Sequence, residues 1–491
     1  MNELFANKKL MIIGGVIIAI ILAVVAYFVS RPQPKAVVTA NAKVDLIWWD
    51  ASGNNKAYKE IVDDFKALPG NQSVNIQIVN VDYDNGETYY QKLITDLAKN
   101  KGPDIFTIRG DELPAWKDYL SPITNVFSLT DTQVLADYKT NFTDLAVKST
   151  VDRDKIYAVT SYSDNLALYY NKNILKQAQI PLPPASWNEL NGQLNSLNKR
   201  NLNNDFDQSA ISMGTGLKIK NGDVDMDSNI SNFEEILPTL ILQSGGQIYD
   251  TPNDRSLLGA EKNSQDLKTG NITQSTFSDS NPSLSALNFY LSFSDPNSTR
   301  YSWNNNSKSN IEAFLEGKLA YILNYTDFQK TIETRNSRLD YGVSEIPQLD
   351  QQNKKTYGKF FMQAINRQLE FPIEKNPKDV AAIAKLQKAR EFLYYLSTST
   401  AQEKFIKETG LASVYKSIIQ KQLKGDERLK IFAAGNLFAE NYYKPDIQRS
   451  EKLWGNLLYR IQYENMGPQQ SLSKAVQEYS LSVSGGAKIG I

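Results

Sequence analysis

The chain of 491 residues contains no cysteine and no histidine. The lack of cysteine excludes disulfide bonds, thiolate chemistry and a lipid-modified cysteine anchor. The lack of histidine removes histidine-based triads, the usual zinc sites and the side chain best suited to proton transfer near neutral pH. Basic and acidic residues both number 54 and no basic run breaks the balance, which argues against nucleic acid as a partner. The composition therefore favours binding over catalysis.

One long apolar run stands near the N-terminus, over residues 10–29. As a helix rising ~1.5 Å per residue it would span about 30 Å, the thickness of a bilayer core. A cleaved signal peptide is the alternative, since Ala40 and Ala42 fit a small-x-small cleavage site, but the run is too long for a normal signal-peptide core. We therefore predict a transmembrane anchor over residues 10–29, after a short segment 1–9 and before a proline-containing tether over residues 30–42.

Apolar periodicity predicts a βαβαβ unit after the tether. Strands are predicted over residues 44–49, 74–78 and 104–108, separated by two helical patterns. Right-handed crossovers of this kind give a parallel sheet covered by helices on both faces. Ligands bind beyond the carboxyl ends of the strands in such sheets, so the loops after these strands are candidate site loops.

The segment 155–190 tells most about how the chain is organised. Residues 156–160 and 166–170 are predicted strands joined by a polar break without a tight hairpin turn, which suits a chain passing from one lobe to another. A short helix follows and prolines stop it. Ser186 and Glu189 then have the spacing of a capping box that begins the next helix.

This segment resembles the lobe crossing of family 1 extracellular solute-binding proteins of the maltodextrin-binding type. The family pattern is roughly G-K-I-Y-A-V-P, then L-x-Y-N-K-x-x-L-K-K-A-G-I, then P-P-x-T-W-x-E-L. Here Thr160 replaces the usual proline and Gln179 the usual glycine. Segments 311–324 and 341–347 resemble two further elements of the family, in the family's order along the chain.

The resemblance implies an α/β, two-lobed periplasmic-binding-protein-like fold of type II, each lobe being a sheet flanked by helices. Lobe one is expected at residues 43–162 plus 363–425, and lobe two at residues 163–362 plus 426–491. Residues 358–366 are expected to form the strand that returns to lobe one. The resemblance also implies a single-pass protein of the cell membrane whose soluble part lies on the extracellular face.

A cleft between two lobes binds sugar through aromatic rings stacked on the sugar and through carboxylates or amides that contact its hydroxyl groups. Trp454 lies in a segment that resembles the family's C-terminal stretch, whose tryptophan stacks on sugar. Aromatic residues make up 11% of the chain, so a core position is the alternative for each. Because Trp48 and Trp49 alternate on a strand, only one of them is expected to face the cleft. The predicted ligand-binding residues are Trp49, Asp50, Tyr83, Arg109, Asp111, Tyr162, Asp164, Tyr325, Asp327, Phe361 and Trp454.

The acidic segment 223–234 has the spacing of an EF-hand calcium loop, with oxygen donors at positions 1, 3 and 5 and a glutamate at position 12. Ser228 departs from the pattern, because glycine normally makes the sharp turn at that position. The alternative is that Ser231 and Glu234 form a capping box for the next helix. Calcium is thus the candidate cofactor, and its predicted ligands are Asp223, Asp225, Asp227, Asn229 and Glu234.

The leading hypothesis is a binding protein, not an enzyme: a membrane-tethered receptor captures a solute by hinge closure and delivers it to the permease subunits of an ATP-driven importer. The aromatic content and the resemblance point to a carbohydrate, most simply an oligosaccharide. One alternative is a cell-surface glycan-processing enzyme that uses a carboxylate pair such as Asp111 and Asp164. Another is a sensory or adhesive binding protein on the same scaffold.

Overall fold

The computed structural model describes residues 43–82, 87–127, 129–202, 205–217, 228–250, 255–256, 258, 281–445 and 447–484. The predicted membrane helix and tether, Tyr83 and residues 223–227 lie outside this part of the chain. Within it, no helix is both long enough and apolar enough to cross a membrane.

The predicted βαβαβ unit forms the first of two main sheets. Val44–Asp50 pairs in parallel with Val74–Asn80 on one side and with Ile105–Arg109 on the other. Alternate side chains of the first strand are buried against helices, as the apolar periodicity predicts. The sheet continues with a strand from far along the chain, and its spatial order is Val74–Asn80, Val44–Asp50, Ile105–Arg109, Phe361–Asn366 and Leu120–Ser121, with Ala158–Val159 also on Phe361–Asn366.

The second main sheet contains the strand that follows the polar break. Ala167–Asn171 lies between Leu319–Asn324 and Tyr341–Glu345 and runs antiparallel to both. Phe206–Ile211 and Lys199–Arg200 extend the sheet beyond Leu319–Asn324. The two central strands, Ala167–Asn171 and Leu319–Asn324, are nearly all buried, because helices cover them.

Each sheet lies in its own hydrophobic core, which confirms the two-lobed α/β fold. The first lobe contains the helices Asn55–Ala67, Glu87–Ala98, Leu113–Trp116, Asp131–Asn141, Asp144–Thr150, Phe371–Lys375, Val380–Leu396, Ser399–Thr409 and Lys416–Gln422. The second lobe contains the helices Lys172–Gln177, Trp187–Leu197, Phe233–Gln243, Pro282–Leu291, Asn310–Leu315, Phe328–Arg335, Leu429–Gly435, Ile447–Gln462 and Pro468–Ser484.

A small three-stranded sheet, here called the hinge sheet, joins the lobes. It consists of Ala439–Glu440, Thr356–Lys359 and Asp164–Asn165, in that order. The single strand predicted at residues 358–366 is therefore two strands, because the chain changes sheets at Phe360. The first passage of the chain between the lobes is at Asp164–Asn165 and the second at Thr356–Lys359, both in the hinge sheet. The third passage lies between the helices Lys416–Gln422 and Leu429–Gly435, just before the strand Ala439–Glu440.

Buried amides connect these passages. Asn165 Nδ2 donates to the Phe432 carbonyl oxygen at 2.7 Å and to Asn436 Oδ1 at 2.8 Å. Asn436 Nδ2 in turn lies 2.9 Å from the Ser163 carbonyl oxygen and 3.0 Å from that of Ser413. Because buried amides that lose their partners are costly, this network holds the first and third passages together.

Thr160, which replaces the family's proline, has a role that the sequence did not predict. Its hydroxyl lies 2.9 Å from the carbonyl oxygens of both Tyr162 and Phe361. A proline has no hydroxyl to make this contact. The side chain therefore ties the first passage between the lobes to the second.

Gln179, which replaces the family's glycine, ends the helix Lys172–Gln177 in a left-handed conformation with φ of 57°. Its N–H donates to the Lys176 carbonyl oxygen at 3.1 Å, and the N–H of Ile180 donates to that of Leu175 at 2.9 Å. This pair of bonds is a Schellman motif, which favours glycine at the left-handed position. Gln179 therefore holds a strained backbone conformation.

We expect Gln179→Gly to raise the free energy of unfolding by about 0.5–1 kcal/mol, because glycine adopts this conformation without the steric penalty of a side chain. The measurement is chemical denaturation followed by circular dichroism. Gln177→Gly is the matched control: it lies in the last turn of the same helix with ordinary helical geometry, so it should lower stability. A loss of stability in both variants would contradict the assignment.

Candidate functional site

A cavity of about 770 Å³ opens between the two lobes. The first lobe contributes the loop after Ile105–Arg109 and the end of the helix Asp144–Thr150 with the hairpin that follows. The second lobe contributes Leu242, Gln247, Ile248 and Tyr249. The end of the hinge-sheet strand Ala439–Glu440 and the residues after it contribute Glu440 to Tyr443. A volume of this size suits a small-molecule ligand enclosed by both lobes.

Asp111 is the principal charged group on the cavity wall. Its Oδ2 lies 2.8 Å from Arg109 Nη2 and 3.4 Å from Lys444 Nζ. Burial disfavours the charged carboxylate, but Arg109 and Lys444 outweigh this and hold the pKa of Asp111 below its ordinary value. Oδ1 is buried without a hydrogen-bond partner among the described residues. The ionised carboxylate thus keeps one buried acceptor oxygen unused within the cavity wall.

Glu112 supports this arrangement from behind the wall, a role that the sequence did not predict. It is fully buried and accepts hydrogen bonds from the Tyr90 hydroxyl and, at 3.2 Å, from the Arg109 N–H. Burial raises the pKa of Glu112 to about 7, against the attraction of Arg109. Glu112 and Asp111 together fix the position of the Arg109 guanidinium.

The loop that carries Asp111 lies directly against the hinge. The N–H of Gly110 donates to the Phe360 carbonyl oxygen at 2.9 Å. A Cβ at position 110 would stand 2.4 Å from two carbons of the Phe360 ring, so only glycine fits without rearrangement. Phe360 is the residue at which the chain leaves the hinge sheet for the first sheet.

Of the predicted ligand-binding residues that the structure describes, Asp111 lines the cavity and Arg109 contacts Asp111. The residues after the first strand lie elsewhere. Trp49 is nearly buried, with Lys92 Nζ 4.6 Å from its ring centroid, so it packs beneath the helix Glu87–Ala98. Asp50 is fully buried, its Oδ1 accepts hydrogen bonds from Ser52, and burial raises its pKa.

The predicted residues at the lobe crossing pack around the hinge and do not line the cavity. Tyr162 stacks on Phe405, with ring centroids 5.8 Å apart. Phe361 is half-buried and pairs with Arg109 in the first sheet. Tyr325 is buried beneath Lys359, whose Nζ lies 3.4 Å from the ring centroid, and Asp327 is exposed directly before the helix Phe328–Arg335.

Asp164 connects the hinge sheet to the loop after Leu319–Asn324. Its Oδ1 accepts a hydrogen bond from the Thr326 hydroxyl at 2.6 Å, and its Oδ2 accepts one from the Thr326 N–H at 3.0 Å. Burial raises the pKa of Asp164 to about 6, although Thr326 and Lys359 favour the charged form. Because Asp164 does not line the cavity, it does not form a catalytic carboxylate pair with Asp111 there.

Trp454 lies in the core of the second lobe and not on the cavity wall. It is fully buried in the second core, and its Nε1 donates to the Tyr442 hydroxyl at 3.0 Å. The two rings are nearly perpendicular, with centroids 5.9 Å apart. Trp454 therefore positions Tyr442, which lines the cavity, and does not itself face the ligand space.

The structure describes two of the predicted calcium ligands, Asn229 and Glu234. The Asn229 side chain is buried, accepts a hydrogen bond from Trp303 Nε1 at 3.0 Å and donates to the Asn304 carbonyl oxygen at 2.9 Å. These bonds give it a structural role. Glu234 lies in the first turn of the helix Phe233–Gln243, whose N-cap is Asn232 and not Ser231. No cluster of three acidic side chains suited to a metal occurs in the described part of the chain.

The sequence did not predict the aromatic wall of the cavity. Tyr249 and Tyr443 lie with ring centroids 4.3 Å apart, and Tyr442 adjoins them. The adjacent tyrosines Tyr442 and Tyr443, shortly before Pro445, are the feature of the sequence that could have indicated this wall. The strand before it, Ala439–Glu440, has only two residues, which is too short for a periodic pattern to reveal.

The family of bacterial extracellular solute-binding proteins matches residues 60–430, which include most of both lobes. The chain belongs to this family. It is thus a solute-binding protein rather than an enzyme, as predicted. A galactooligosaccharide-binding protein of Bacillus subtilis is 23% identical over 147 residues, which are 29% of this chain and 31% of that protein's length.

Solved structures of solute-binding proteins share the fold at low sequence identity. The cyclic α-maltosyl-1,6-maltose binding protein of Arthrobacter globiformis is 16% identical, with a TM-score of 0.66 over 91% of this chain and 100% of that one. The maltose-binding periplasmic protein of Listeria monocytogenes is 17% identical, with a TM-score of 0.60 over 90% and 98% of the two chains. Both are similar to this solute-binding protein in architecture.

The raised pKa of Asp164 predicts a pH-dependent stability. A carboxyl whose pKa rises on folding, from an ordinary 3.8 to about 6, binds a proton more tightly in the folded state. Its contribution is therefore complete below pH ~4 and is lost as the pH rises to about 6. We expect Asp164→Asn to flatten the decline in stability over this range, measured by denaturation at a series of pH values.

Asp327→Asn is the control, because this exposed carboxyl lies in the adjacent loop. Part of the decline should remain in the Asp164→Asn variant, since the pKa of Glu112 is also raised, to about 7. Equal slopes for the parent protein and the Asp164→Asn variant would contradict the prediction.

Proposed function

We propose that this solute-binding protein captures an oligosaccharide in the cavity between its lobes and delivers it to an ATP-driven importer. The observation that carries the proposal is the pairing of an aromatic wall with an unused acceptor. Tyr249, Tyr442 and Tyr443 line the cavity with aromatic rings of the kind that bind sugar C–H groups, and Asp111 Oδ1, buried in the same wall without a partner, would accept a hydrogen bond from a sugar hydroxyl. The carbohydrate ligands in the names of the similar proteins support the same class of ligand.

Hinge closure is the mechanism that this geometry supports. A ligand in the cavity contacts the Asp111 loop of the first lobe and Tyr249 of the second at the same time. It therefore binds the closed arrangement more tightly than an open one and shifts the equilibrium toward closure. The three short strands of the hinge sheet are the elements about which the lobes would rotate.

The proposal includes attachment to the outer face of the cell membrane. The apolar run over residues 10–29 is long enough to span a bilayer core, and residues 30–42 would connect it to the first lobe. A tethered receptor stays near the permease subunits of its importer, which raises their effective concentration. Recovery of the full chain in the membrane fraction after a high-salt wash, and its accessibility to protease on intact cells, would test this part.

The central test is a calorimetric titration of the purified full chain, in detergent, with a panel of neutral and charged oligosaccharides. Saturable binding of at least one glycan, with compaction on X-ray scattering, is expected. Asp111→Ala should weaken that binding by about tenfold or more, because a hydrogen bond to a charged acceptor is worth about 1.5–3 kcal/mol. Asp327→Ala, which removes a carboxylate outside the cavity, should leave the affinity unchanged.

Two results would count against the proposal. One is the absence of saturable glycan binding across the panel by a protein that is folded by circular dichroism. The other is equal loss of affinity in the Asp111→Ala and Asp327→Ala variants, which would show that the glycan does not bind in the cavity.

A further inference from the structure

The acidic side chains that line the cavity are all neutralised by cations of the protein. Asp111 is held by Arg109 and Lys444, as described above. The remaining ion pairs are Asp152 with Lys117 at 3.9 Å, Asp154 with Lys139 at 3.0 Å, and Glu440 with Lys355. The cavity therefore carries no unbalanced negative charge on its described wall.

The two cations on the same wall are not balanced in this way. Lys148 and Arg153 both line the cavity, both are exposed, and neither forms an ion pair with an acidic side chain in the described part of the chain. Lys148 stands in the last turn of the helix Asp144–Thr150. Arg153 stands at the tip of the hairpin that pairs Val151–Asp152 with Lys155–Ile156.

The arginine at this tip is not explained by the turn. Arg153 and Asp154 have φ values of 46° and 60°, so both residues of this two-residue turn are left-handed. Asparagine and glycine satisfy such a turn, whereas a longer side chain in this conformation costs roughly 1 kcal/mol. Arg153 thus occupies a position where a smaller residue would be more stable.

The facing wall has no charge that would complement these cations. Apart from Glu440, which is paired with Lys355, this wall consists of aliphatic, aromatic and amide side chains. They are Leu242, Gln247, Ile248, Tyr249, Asn441, Tyr442 and Tyr443. The unbalanced positive charge is consequently confined to the first-lobe rim. A ligand that enters between the lobes meets this charge on one side and aromatic faces on the other.

We propose that Lys148 and Arg153 select an oligosaccharide that carries an anionic substituent, a carboxylate or a sulfate. This inference rests on the proposed function and specifies its ligand class. The substituent lies against Lys148 and Arg153, where a guanidinium can bind a carboxylate or sulfate through two parallel hydrogen bonds. The sugar rings lie on the tyrosines, and a hydroxyl donates to Asp111 Oδ1. Arg153 is then a specificity-determining residue.

The test compares matched ligands on the full chain: neutral oligosaccharides of several linkages, the same compounds oxidised at C6 to the uronic acid, and the same compounds sulfated at C6. At low ionic strength we expect an anionic form to bind at least tenfold more tightly than its neutral parent, and added salt to reduce this advantage. The better of the two anionic forms identifies the substituent.

Arg153→Gly separates recognition from structure. Because it relieves the left-handed strain, this variant should be as stable as the parent protein or more so, and it should lose most of the preference for the anionic form while keeping its affinity for the neutral one. Lys155→Gln is the matched control, because this cation of the same hairpin does not line the cavity between the lobes. It should leave the preference intact.

Equal or weaker binding of both anionic forms relative to the neutral parent would overturn the inference and leave the proposed function in place. A preference for the anionic form that survives in both the Arg153→Gly and the Lys148→Gln variants would also overturn the inference. A chain that binds neither neutral nor anionic glycans would overturn the proposed function itself.

Discussion

The structure depends on the pairing of three distant chain segments in one small sheet. Asp164–Asn165, Thr356–Lys359 and Ala439–Glu440 are widely separated in sequence, yet their backbones hydrogen-bond side by side between the lobes. The buried amides of Asn165 and Asn436 join the first and third passages, and the Thr160 hydroxyl joins the first and second. The sheet therefore fixes how the two lobes are joined at the base of the cavity.

The parts of the fold that repeat regularly could be predicted from the sequence. The parallel strands beginning at Val44, Val74 and Ile105 alternate or are continuously apolar, and the helix at Trp187 begins with the predicted Ser186 cap. The hinge sheet could not be predicted, because strands of two to four residues carry no period. The prediction of one long strand at residues 358–366 was wrong, because nothing in the sequence marks the change of sheet at Phe360.

The site was harder to predict than the fold. Position beyond a strand end predicted Asp111, Trp49 and Asp50 as site residues, and of these three Asp111 lines the cavity in the structure. The family resemblance placed weight on Trp454, but the structure uses this ring to position Tyr442. Packing between distant segments, rather than residue type, decides which aromatic side chain reaches the cavity: Tyr249 and Tyr443 are in contact there although they lie roughly 190 residues apart in sequence.

The contact between Gly110 and Phe360 has an evolutionary consequence. One residue belongs to the loop that presents Asp111, the other to the hinge, and no space separates the ring from the glycine. Any larger side chain at position 110 would displace the Phe360 ring and the loop of Asp111 in a single step. A substitution at either position therefore requires a compensating change at the other.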